Sequence, residues 1–253
     1  HVRSRRQRQM CIRDRVISSR LVTPHMLRVT LGGGEIDSFP GDQESAYIKL
    51  MFSPPGSDKA LVRTYTVRQQ RADQFDVDFV LHEDAGPASQ WAKDAKPGDS
   101  IVIGGPGPKK LVDNSADWFL LIGDMTALPA LSVNLEQMPA DARGHAIIEV
   151  IDERDIQPLR HPAGIELHWL INPHPGENSQ LLVDHVRKLE WLPGRPSIWA
   201  ACEFSGMRAL RQHLKQERQV DRKDLYISSY WKLGSSEDQH KAVKREDADT
   251  QGD

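Results

Sequence analysis

A four-residue segment combines a cation, an aromatic ring and a hydroxyl in an order suited to a planar ligand that carries phosphate. In RTYT, Arg63 offers a guanidinium to a phosphate, Tyr65 a ring for stacking and Thr66 a hydroxyl for a reactive ring edge. Side chains alternate along a strand, so Arg63 and Tyr65 share one face if this segment is a strand. This chemistry suits a flavin. The competing interpretation is a plain strand whose Arg63 is ion-paired, and a motif this short does not decide between the two.

A second segment, HEDAGPASQWA (His82–Ala92), has the composition of a loop that opens into a helix. Its small, turn-forming residues are Gly86, Pro87, Ala88 and Ser89. Backbone N–H groups at the start of a helix bind anions, so we expect a pyrophosphate there, with the Ser89 hydroxyl as a further donor. The alternative is a loop whose Trp91 only fills the core. A second glycine-rich loop, GGPGP (Gly104–Pro108), would allow another close approach of backbone to ligand.

The third segment is GDMTALPAL (Gly123–Leu131), which follows the continuous apolar run of Asp117–Asp124. Such a run predicts a strand buried on both faces, and ligands of open parallel sheets bind outside the carboxyl ends of the strands. The segment lacks the GxGxxG spacing typical of dinucleotide-binding loops. A ligand-binding loop and an ordinary strand–helix turn capped by Thr126 both remain open.

The elements that must position these segments divide the chain into two halves. In the first half the sequence predicts strands over His25–Leu31, Ala46–Phe52, Arg63–Arg68, Phe75–His82 and Asp99–Gly105. In FDVDFV, three apolar residues alternate with Asp76 and Asp78, which predicts a strand with one face in water. Short strands separated by Gly- and Pro-rich turns predict an antiparallel barrel.

In the second half, strands alternate with helices, which predicts a parallel sheet covered on both sides. The expected strands are Asp117–Asp124, His145–Asp152, Ile165–Ile171, Ser197–Glu203 and Asp224–Trp231. The expected helices are Leu128–Met138, Ser179–Leu189 and Gly206–Gln216. The predicted fold class is therefore an antiparallel β-barrel domain, residues 16–114, followed by an open α/β domain, residues 115–234.

Both ends of the chain are polar. Residues 1–15 hold six Arg against one Asp, so we expect a disordered leader or a sequencing artefact there. A basic arm for nucleic acid or membrane is the weaker alternative. Residues 235–253 are predicted to be a polar tail in which EDQHKAVKRED (Glu237–Asp247) forms a short helix.

The composition narrows the classes of function. The 253 residues include 36 acids against 33 Lys and Arg, and this balance disfavours a general nucleic-acid binder. No apolar run reaches the length of a membrane span. Two cysteines and ten histidines, without CxxC or HExxH spacing, predict no metal site, so redox chemistry would need an organic cofactor. Few cysteines and no secretory signal predict a cytoplasmic protein.

Five segments occur in a characteristic order: RTYT, HEDAGPASQWA, GDMTALPA, WAACEFSGMRALRQHL and YWKLG. Together they resemble the siderophore-interacting proteins, a family of FAD-dependent ferric-siderophore reductases of the ferredoxin-reductase type. The resemblance extends from about Val16 to Lys244. It departs from the family pattern at Met125, where an acid is usual, and at Ala201-Cys202, where a small residue and Gly are usual.

The resemblance implies three sets of site residues. The FAD-binding set comprises Arg63, Thr64, Tyr65, Thr66, His82, Gly86, Pro87, Ala88, Ser89 and Trp91. The set in contact with NADPH or NADH comprises Gly123, Asp124, Thr126, Ala127, Pro129 and Glu203. The set that holds an anionic ferric siderophore comprises Lys49, Lys232 and, more loosely matched, Lys109. For each lysine the alternative is an ordinary solvated side chain.

The activity that the resemblance implies is reduction of a ferric siderophore, with electrons passing from NADPH or NADH through FAD. Two alternatives stay open. One is the same flavoprotein reduced by ferredoxin, and the other is a ferric-siderophore-binding module without catalysis. We expect a monomer with no nucleic-acid partner and no membrane span.

Overall fold

The structure is a computed structural model that describes residues 11–53, 60–82 and 86–251. The chain divides into two compact units, His1–Lys109 and Lys110–Asp253. The division predicted after residue 114 falls within the segment that opens the second unit. Among the helices of the described residues, none is both long enough and apolar enough to cross a membrane.

The first unit is built on one antiparallel sheet. Its strands are β1 (Cys11–Thr23), β2 (Met26–Gly32), β3 (Tyr47–Phe52), β4 (Leu61–Thr66), β5 (Gln69–Arg71), β6 (Gln74–Val80) and β7 (Ser100–Gly104). Helix α1 spans Pro87–Asp94, and a short 3₁₀ turn spans Ile36–Ser38. The strand order is β4-β3-β7-β1-β2-β6-β5, so an antiparallel sheet is confirmed.

The sheet is open, whereas the sequence predicts a closed barrel. Within the described ranges, no backbone pairing joins the end strands β4 and β5. β5 is only three residues long, and all three pair with β6. Only two residues, Val67 and Arg68, separate β5 from β4. A strand this short offers too few backbone groups to complete a barrel.

The first strand corrects the prediction for the start of the chain. Cys11–Arg15 pair with β7 from Gly104 to Ser100, and the side chains of Ile12 and Asp14 are buried. Residues 11–15 are therefore ordered rather than disordered, the origin of the leader as a sequencing artefact stays a prediction, and residues 1–10 lie outside the described ranges. The alternating pattern was hidden because a buried position holds an acid. Burial raises the pKa of Asp14, and its Oδ1 accepts the Gly34 N–H at 2.9 Å.

The face of β6 that was expected to be in water carries carboxylates that are buried in ion pairs. Asp76 and Asp78 are 4% and 7% exposed. Arg28 lies opposite Asp78 on β2 and binds both of its carboxylate oxygens at 2.7 and 2.8 Å. Burial alone would raise the pKa of Asp76, but hydrogen bonds from Arg71 and Thr30 outweigh it and hold this pKa below its usual value. The prediction failed because paired arginines cover these carboxylates.

The second unit is an open parallel sheet with helices, as predicted. Its strands are β8 (Trp118–Gly123), β9 (Arg143–Val150), β10 (Gly164–Ile171), β11 (Pro196–Glu203) and β12 (Leu225–Trp231). Its helices are α2 (Leu128–Gln137), α3 (Leu181–Lys188), α4 (Phe204–Gln212) and α5 (Glu237–Gln251). Short 3₁₀ turns lie at Glu153–Asp155 and Arg222–Asp224, and a π-helical turn at His213–Glu217.

The strand order β10-β9-β8-β11-β12 places a topological switch between β8 and β11, where the direction of the connections reverses. Ligands of open α/β sheets bind at such a point, outside the carboxyl ends of the strands. Buried side chains of β8, β9 and β11 pack against α3 and α4 and form the core on one side of this sheet.

The C-terminal tail is more ordered than a short helix with fraying ends. α5 runs to Gln251, beyond the predicted end at Asp247. It is tied to the sheet by a 2.8 Å contact between Ser229 Oγ and His240 Nε2. Arg211 of α4 also binds Asp247 at 2.6 Å.

Candidate functional site

Strands β3 and β4 place the predicted flavin-binding pair. Arg63 lies opposite Leu50, and Tyr65 lies opposite Ile48. Directly opposite residues of an antiparallel pair share a face, and Leu50 and Ile48 are fully buried. Arg63 and Tyr65 therefore project on the same side of the sheet as the core. Both side chains are only partly buried, so they lie at the margin of the core, where part of each is exposed.

An aromatic group supports Tyr65. Its ring lies 4.4 Å from the ring of Phe79, centroid to centroid. Trp91 of α1 lies 6.0 Å from Phe79 and 5.3 Å from Phe52. Trp91 thus fills part of the core, as one of the two interpretations of its segment requires. The same packing holds the Tyr65 ring in a fixed position.

Backbone N–H groups at the start of α1 form a candidate anion-binding site. Gly86 is the N-cap and has no side chain to accept the first N–H groups of the helix. Among the residues that the structure describes, none would lie within 4 Å of a Cβ placed on Gly86. Ser89, however, is buried, and its hydroxyl donates to the Val80 carbonyl at 3.0 Å. A phosphate here would bind N–H groups of the first turn rather than the Ser89 proton.

The remaining FAD-set residues occupy the ends of these elements. Thr64 is exposed, Thr66 is the last residue of β4, and His82 lies two residues beyond the end of β6. Arg63 Nη1 donates to the Val62 carbonyl at 3.0 Å, which holds the guanidinium beside its strand. A guanidinium, an open helix start and a supported aromatic ring form a donor set that fits FAD.

Lys49 lies on the opposite face of the same ladder. It pairs with Thr64 across β3 and β4, and its Nζ donates to the Thr64 hydroxyl at 2.5 Å. Its ammonium also lies 5.4 Å from the Tyr47 ring centroid. The alternation along β3 that separates Lys49 from the buried residues is as predicted. Lys109 is engaged elsewhere, in a 3.0 Å ion pair with Asp42.

The glycine-rich loop after β7 approaches Tyr47 closely. A Cβ on Gly107 would come within 2.0 Å of the Tyr47 ring, so a larger residue there would require this exposed ring to move. The Gly107 N–H donates to the Tyr47 carbonyl at 2.8 Å. The close approach expected of this loop is therefore made to the protein's own tyrosine.

At the switch point of the second unit, Asp124 is a buried junction between three strands. Its Oδ2 accepts the Glu203 N–H at 2.9 Å and the Trp231 Nε1–H at 2.8 Å. Its Oδ1 accepts the Thr126 N–H at 2.9 Å and the Thr126 hydroxyl at 2.5 Å. Burial raises the pKa of Asp124, against these hydrogen bonds. Its carboxylate is thus used to hold the ends of β8, β11 and β12 together.

The backbone N–H groups at the start of α2 likewise donate hydrogen bonds within the protein. The Ala127 and Leu128 N–H groups both donate to the Asp124 carbonyl at 3.0 Å. The side chains of Ala127 and Pro129 are buried, and a Cβ on Gly123 would lie 3.0 Å from that of Ala127. Contact between these residues and a nucleotide stays a prediction, with only Thr126 partly exposed.

Glu203 caps the next helix. It is 5% exposed and is the N-cap of α4. Its Oε2 accepts the N–H groups of Ser205 at 2.5 Å and Gly206 at 3.2 Å. Its Oε1 accepts the Leu233 N–H at 3.1 Å, which anchors the chain next to Lys232. The Lys232 ammonium lies 4.9 Å from the Phe204 ring centroid, a cation–π contact.

A third buried acid, Glu149, was missed by the sequence reasoning. It is 8% exposed near the carboxyl end of β9. Burial, with the nearby carboxylate of Asp124, raises its pKa to about 7, although the Asn172 amide donates to it at 2.8 Å. The signal was available in HAIIEVID, where one acid interrupts a continuous apolar run. The sequence differs from the family pattern at Met125 and Cys202, and both side chains are buried. Burial raises the pKa of the Cys202 thiol, and the carboxylates of Asp124, Glu149 and Glu203 raise it further.

Comparison with known proteins places both units in one family. A family model described as siderophore-interacting protein matches residues 116–234. Another, described as siderophore-interacting FAD-binding domain, matches residues 15–62 and 53–110. Ferric vibriobactin reductase ViuB of Vibrio cholerae serotype O1 is 32% identical over 243 residues, which cover 88% of this chain and 89% of that protein. The chain belongs to the siderophore-interacting protein family.

Solved structures agree with this membership. The siderophore-interacting protein SipS from Aeromonas hydrophila superposes with a TM-score of 0.86 at 33% identity, over 95% of this chain and 99% of that one. The cytochrome P450 reductase GcoB of Amycolatopsis has a TM-score of 0.66 at 18% identity, over 88% of this chain and 70% of that one, and shares the fold. This siderophore-interacting protein therefore has the ferredoxin-reductase-like architecture that its motifs predict.

Proposed function

We propose that this protein binds FAD non-covalently and uses it to reduce ferric iron held by a siderophore. A family model for a siderophore-interacting FAD-binding domain matches the first unit, and the Vibrio relative is named ferric vibriobactin reductase. The observation that carries the proposal is the placement of Arg63 and Tyr65 on one face of β4, an end strand of the sheet.

The end-strand position gives the flavin access to both faces. A flat ligand lying along the outer edge of β4 would be within reach of Arg63 and Tyr65 from one face and of Thr64 from the other. FAD, when bound, supplies the conversion between a two-electron donor and a one-electron acceptor. We assign Arg63 and the start of α1 to its phosphates and Tyr65 to its ring.

The remaining residues of the FAD set have supporting assignments in the proposal. Thr66 contributes a hydroxyl near the reactive edge of the ring. His82, Ala88 and Trp91 border the phosphate and adenosine portion.

We propose that lysines attract the iron chelate. A ferric siderophore of the catecholate type carries several negative charges, so an ammonium group near its path raises the encounter rate. Lys49 and Lys232 are the candidates, while the ion pair with Asp42 makes Lys109 the weaker one. Iron stays with its chelator in this scheme, so no protein ligand to the ferric ion is required.

The electron donor that we favour is NADPH or NADH, bound at the carboxyl end of the parallel sheet. Reduction by ferredoxin is the second candidate, and one observation favours it. The N–H groups at the start of α2, which in dinucleotide-binding folds hold a pyrophosphate, donate to Asp124 instead. Glu149 and Glu203 are buried acids at the same edge, and each adds negative charge there when it is ionised.

The proposal is tested by the absorbance of the purified protein and by its reduction. We expect a yellow protein that releases FAD on denaturation, and anaerobic stopped-flow mixing should show flavin bleaching with NADPH or NADH. Bleaching by reduced ferredoxin alone would select the second candidate. A folded protein that stays colourless after incubation with FAD contradicts the proposal and leaves only a binding module.

Charge reversal at either lysine should slow reduction of an anionic ferric siderophore by up to roughly tenfold, because a surface lined by charge of one sign raises encounter rates by about 10–10³ and each substitution inverts one such charge. Lys49→Glu and Lys232→Glu are made separately, and rates are compared for an anionic and a neutral iron chelate. The neutral chelate should react at the wild-type rate, and flavin content should not change. Salt should reduce the wild-type preference, since charges are screened over about 10 Å at 0.1 M.

Lys96→Glu is the matched control, because Lys96 is an exposed lysine of a turn in the first unit. It changes the net charge by the same amount. An equal effect of Lys96→Glu on the anionic chelate would mean that overall charge, rather than Lys49 or Lys232, governs the rate.

A further inference from the structure

Two neighbouring strands of the second unit bring histidine and glutamate side chains together on one face. In the parallel ladder of β9 and β10, His145 lies opposite Glu166. Glu166 and His168 are two residues apart on β10, so they project from the same face. His145 and Glu166 lie in the amino-terminal halves of these strands and His168 near the middle of β10, whereas Glu149 and Glu203 lie toward the carboxyl ends of β9 and β11. The group is therefore separate from the edge where a nucleotide was proposed to bind.

The three side chains converge on one point. His145 Nδ1 lies 3.1 Å from His168 Nε2, and Glu166 Oε2 lies 3.6 Å from the first and 3.8 Å from the second. A point equidistant from atoms with these separations lies about 2.0 Å from each, and Zn²⁺ binds imidazole nitrogen and carboxylate oxygen at roughly 2.0–2.2 Å. The atoms thus already have the spacing of ligands around one ion.

Among the described residues, hydrogen bonds leave two buried ring nitrogens in and beside this cluster without partners. The side chains of His145 and His168 are 12% and 15% exposed. The His185 ring of α3 packs edge-on against His168, with centroids 4.9 Å apart. The Nε2 atoms of His145 and His185 are buried without a hydrogen-bond partner among the described residues. A cation at this point would engage lone pairs of His145 Nδ1, His168 Nε2 and Glu166 Oε2, and would fix the proton of His145 on its buried Nε2.

We propose that His145, Glu166 and His168 form a binding site for one divalent first-row transition-metal ion. Two imidazoles and a carboxylate are the nitrogen and oxygen donors that Zn²⁺ and its neighbours in the series prefer. Glu166 is 67% exposed, so ions enter from its side, and water fills the remaining coordination positions. The ion holds the edge strand β10 to β9 and carries no electrons in the proposed reduction.

The test is a titration of tag-free, chelator-treated protein with Zn²⁺ by isothermal calorimetry. We expect one equivalent of Zn²⁺ and a zinc-dependent rise in melting temperature. His145→Ala and His168→Ala should each weaken binding at least tenfold, and Glu166→Gln should weaken it less. His174→Ala is the control, because His174 is an exposed histidine of the same unit and should leave binding unchanged.

Circular dichroism establishes that each variant is folded before it is titrated. Folded wild type that binds no Zn²⁺ overturns the site. Stoichiometric binding that persists in a His145→Ala, His168→Ala double variant overturns it as well. Flavin content is recorded in parallel, so failure of the zinc site and failure of the proposed flavin function are separate results.

Discussion

Replacing Arg63 by alanine is expected to remove most of the bound FAD. In the proposed site the guanidinium makes charge-assisted hydrogen bonds to a phosphate, and such bonds contribute about 1.5–3 kcal/mol. The expected loss of affinity is therefore roughly tenfold to more than a hundredfold. The Val62 carbonyl already holds the guanidinium beside β4, so binding of FAD costs little further side-chain entropy of Arg63.

The measurement is the FAD dissociation constant, from fluorescence of flavin released on dilution. Tyr65→Ala should weaken binding less than Arg63→Ala, since stacking lacks the charge term. Arg20→Ala is the matched control, because Arg20 is an exposed arginine on a strand of the same sheet. An Arg63→Ala variant that retains FAD as wild type does would show that the guanidinium has only a structural role.

Glu149→Gln is expected to stabilise the protein at and above neutral pH. The folded-state pKa of Glu149 is raised from 4.5 to about 7, first by burial and then by the charge of Asp124. Between these values the folded state keeps a proton that the unfolded state has released, so stability falls as pH rises through this window. Above pH 7 the full cost remains, about 3 kcal/mol at most. Glutamine carries no charge and keeps an oxygen for the Asn172 amide.

The free energy of unfolding should therefore rise by roughly 2 kcal/mol at pH 8 in Glu149→Gln and stay near the wild-type value at pH 4.5. Denaturant titration at the two pH values measures it. Glu190→Gln removes an exposed carboxylate of the same unit and should change neither value. A gain of equal size at both pH values would mean that packing, and not ionisation, explains the effect.

The parallel sheet was predictable because its strands carry a direct physical signature. Trp118–Gly123 is a run of apolar residues closed by Gly and buried throughout, as a strand covered on both faces must be. The shared face of Arg63 and Tyr65 was predictable too, since alternation along a strand places them on one side. Its relation to the core required the register of β3 and β4, which no local pattern contains.

Apart from the open barrel and the longer C-terminal helix, the failures share one cause, which is polar side chains in buried positions. Asp14, Asp78 and Glu149 look like surface residues in the sequence, yet each is buried. Asp14 obscured the first strand, and Asp78 gave β6 a false solvent face. Pairing over long distances in the chain, such as Arg28 with Asp78, satisfies these groups and cannot be deduced from neighbouring residues. Ser89 is a similar case, since its hydroxyl is committed to Val80.

The two faces of the β3–β4 ladder carry different groups of side chains, and this affects how the sequence can change during evolution. Lys49 and Thr64 project from one face, Arg63 and Tyr65 from the other, and each pair has its own neighbours. Under the proposed function, substitutions at position 49 that alter chelate preference leave the Arg63 and Tyr65 contacts to the flavin in place. We therefore expect that exchange of one iron carrier for another can proceed by single steps on the Lys49 face, each of which keeps the flavin-binding face intact.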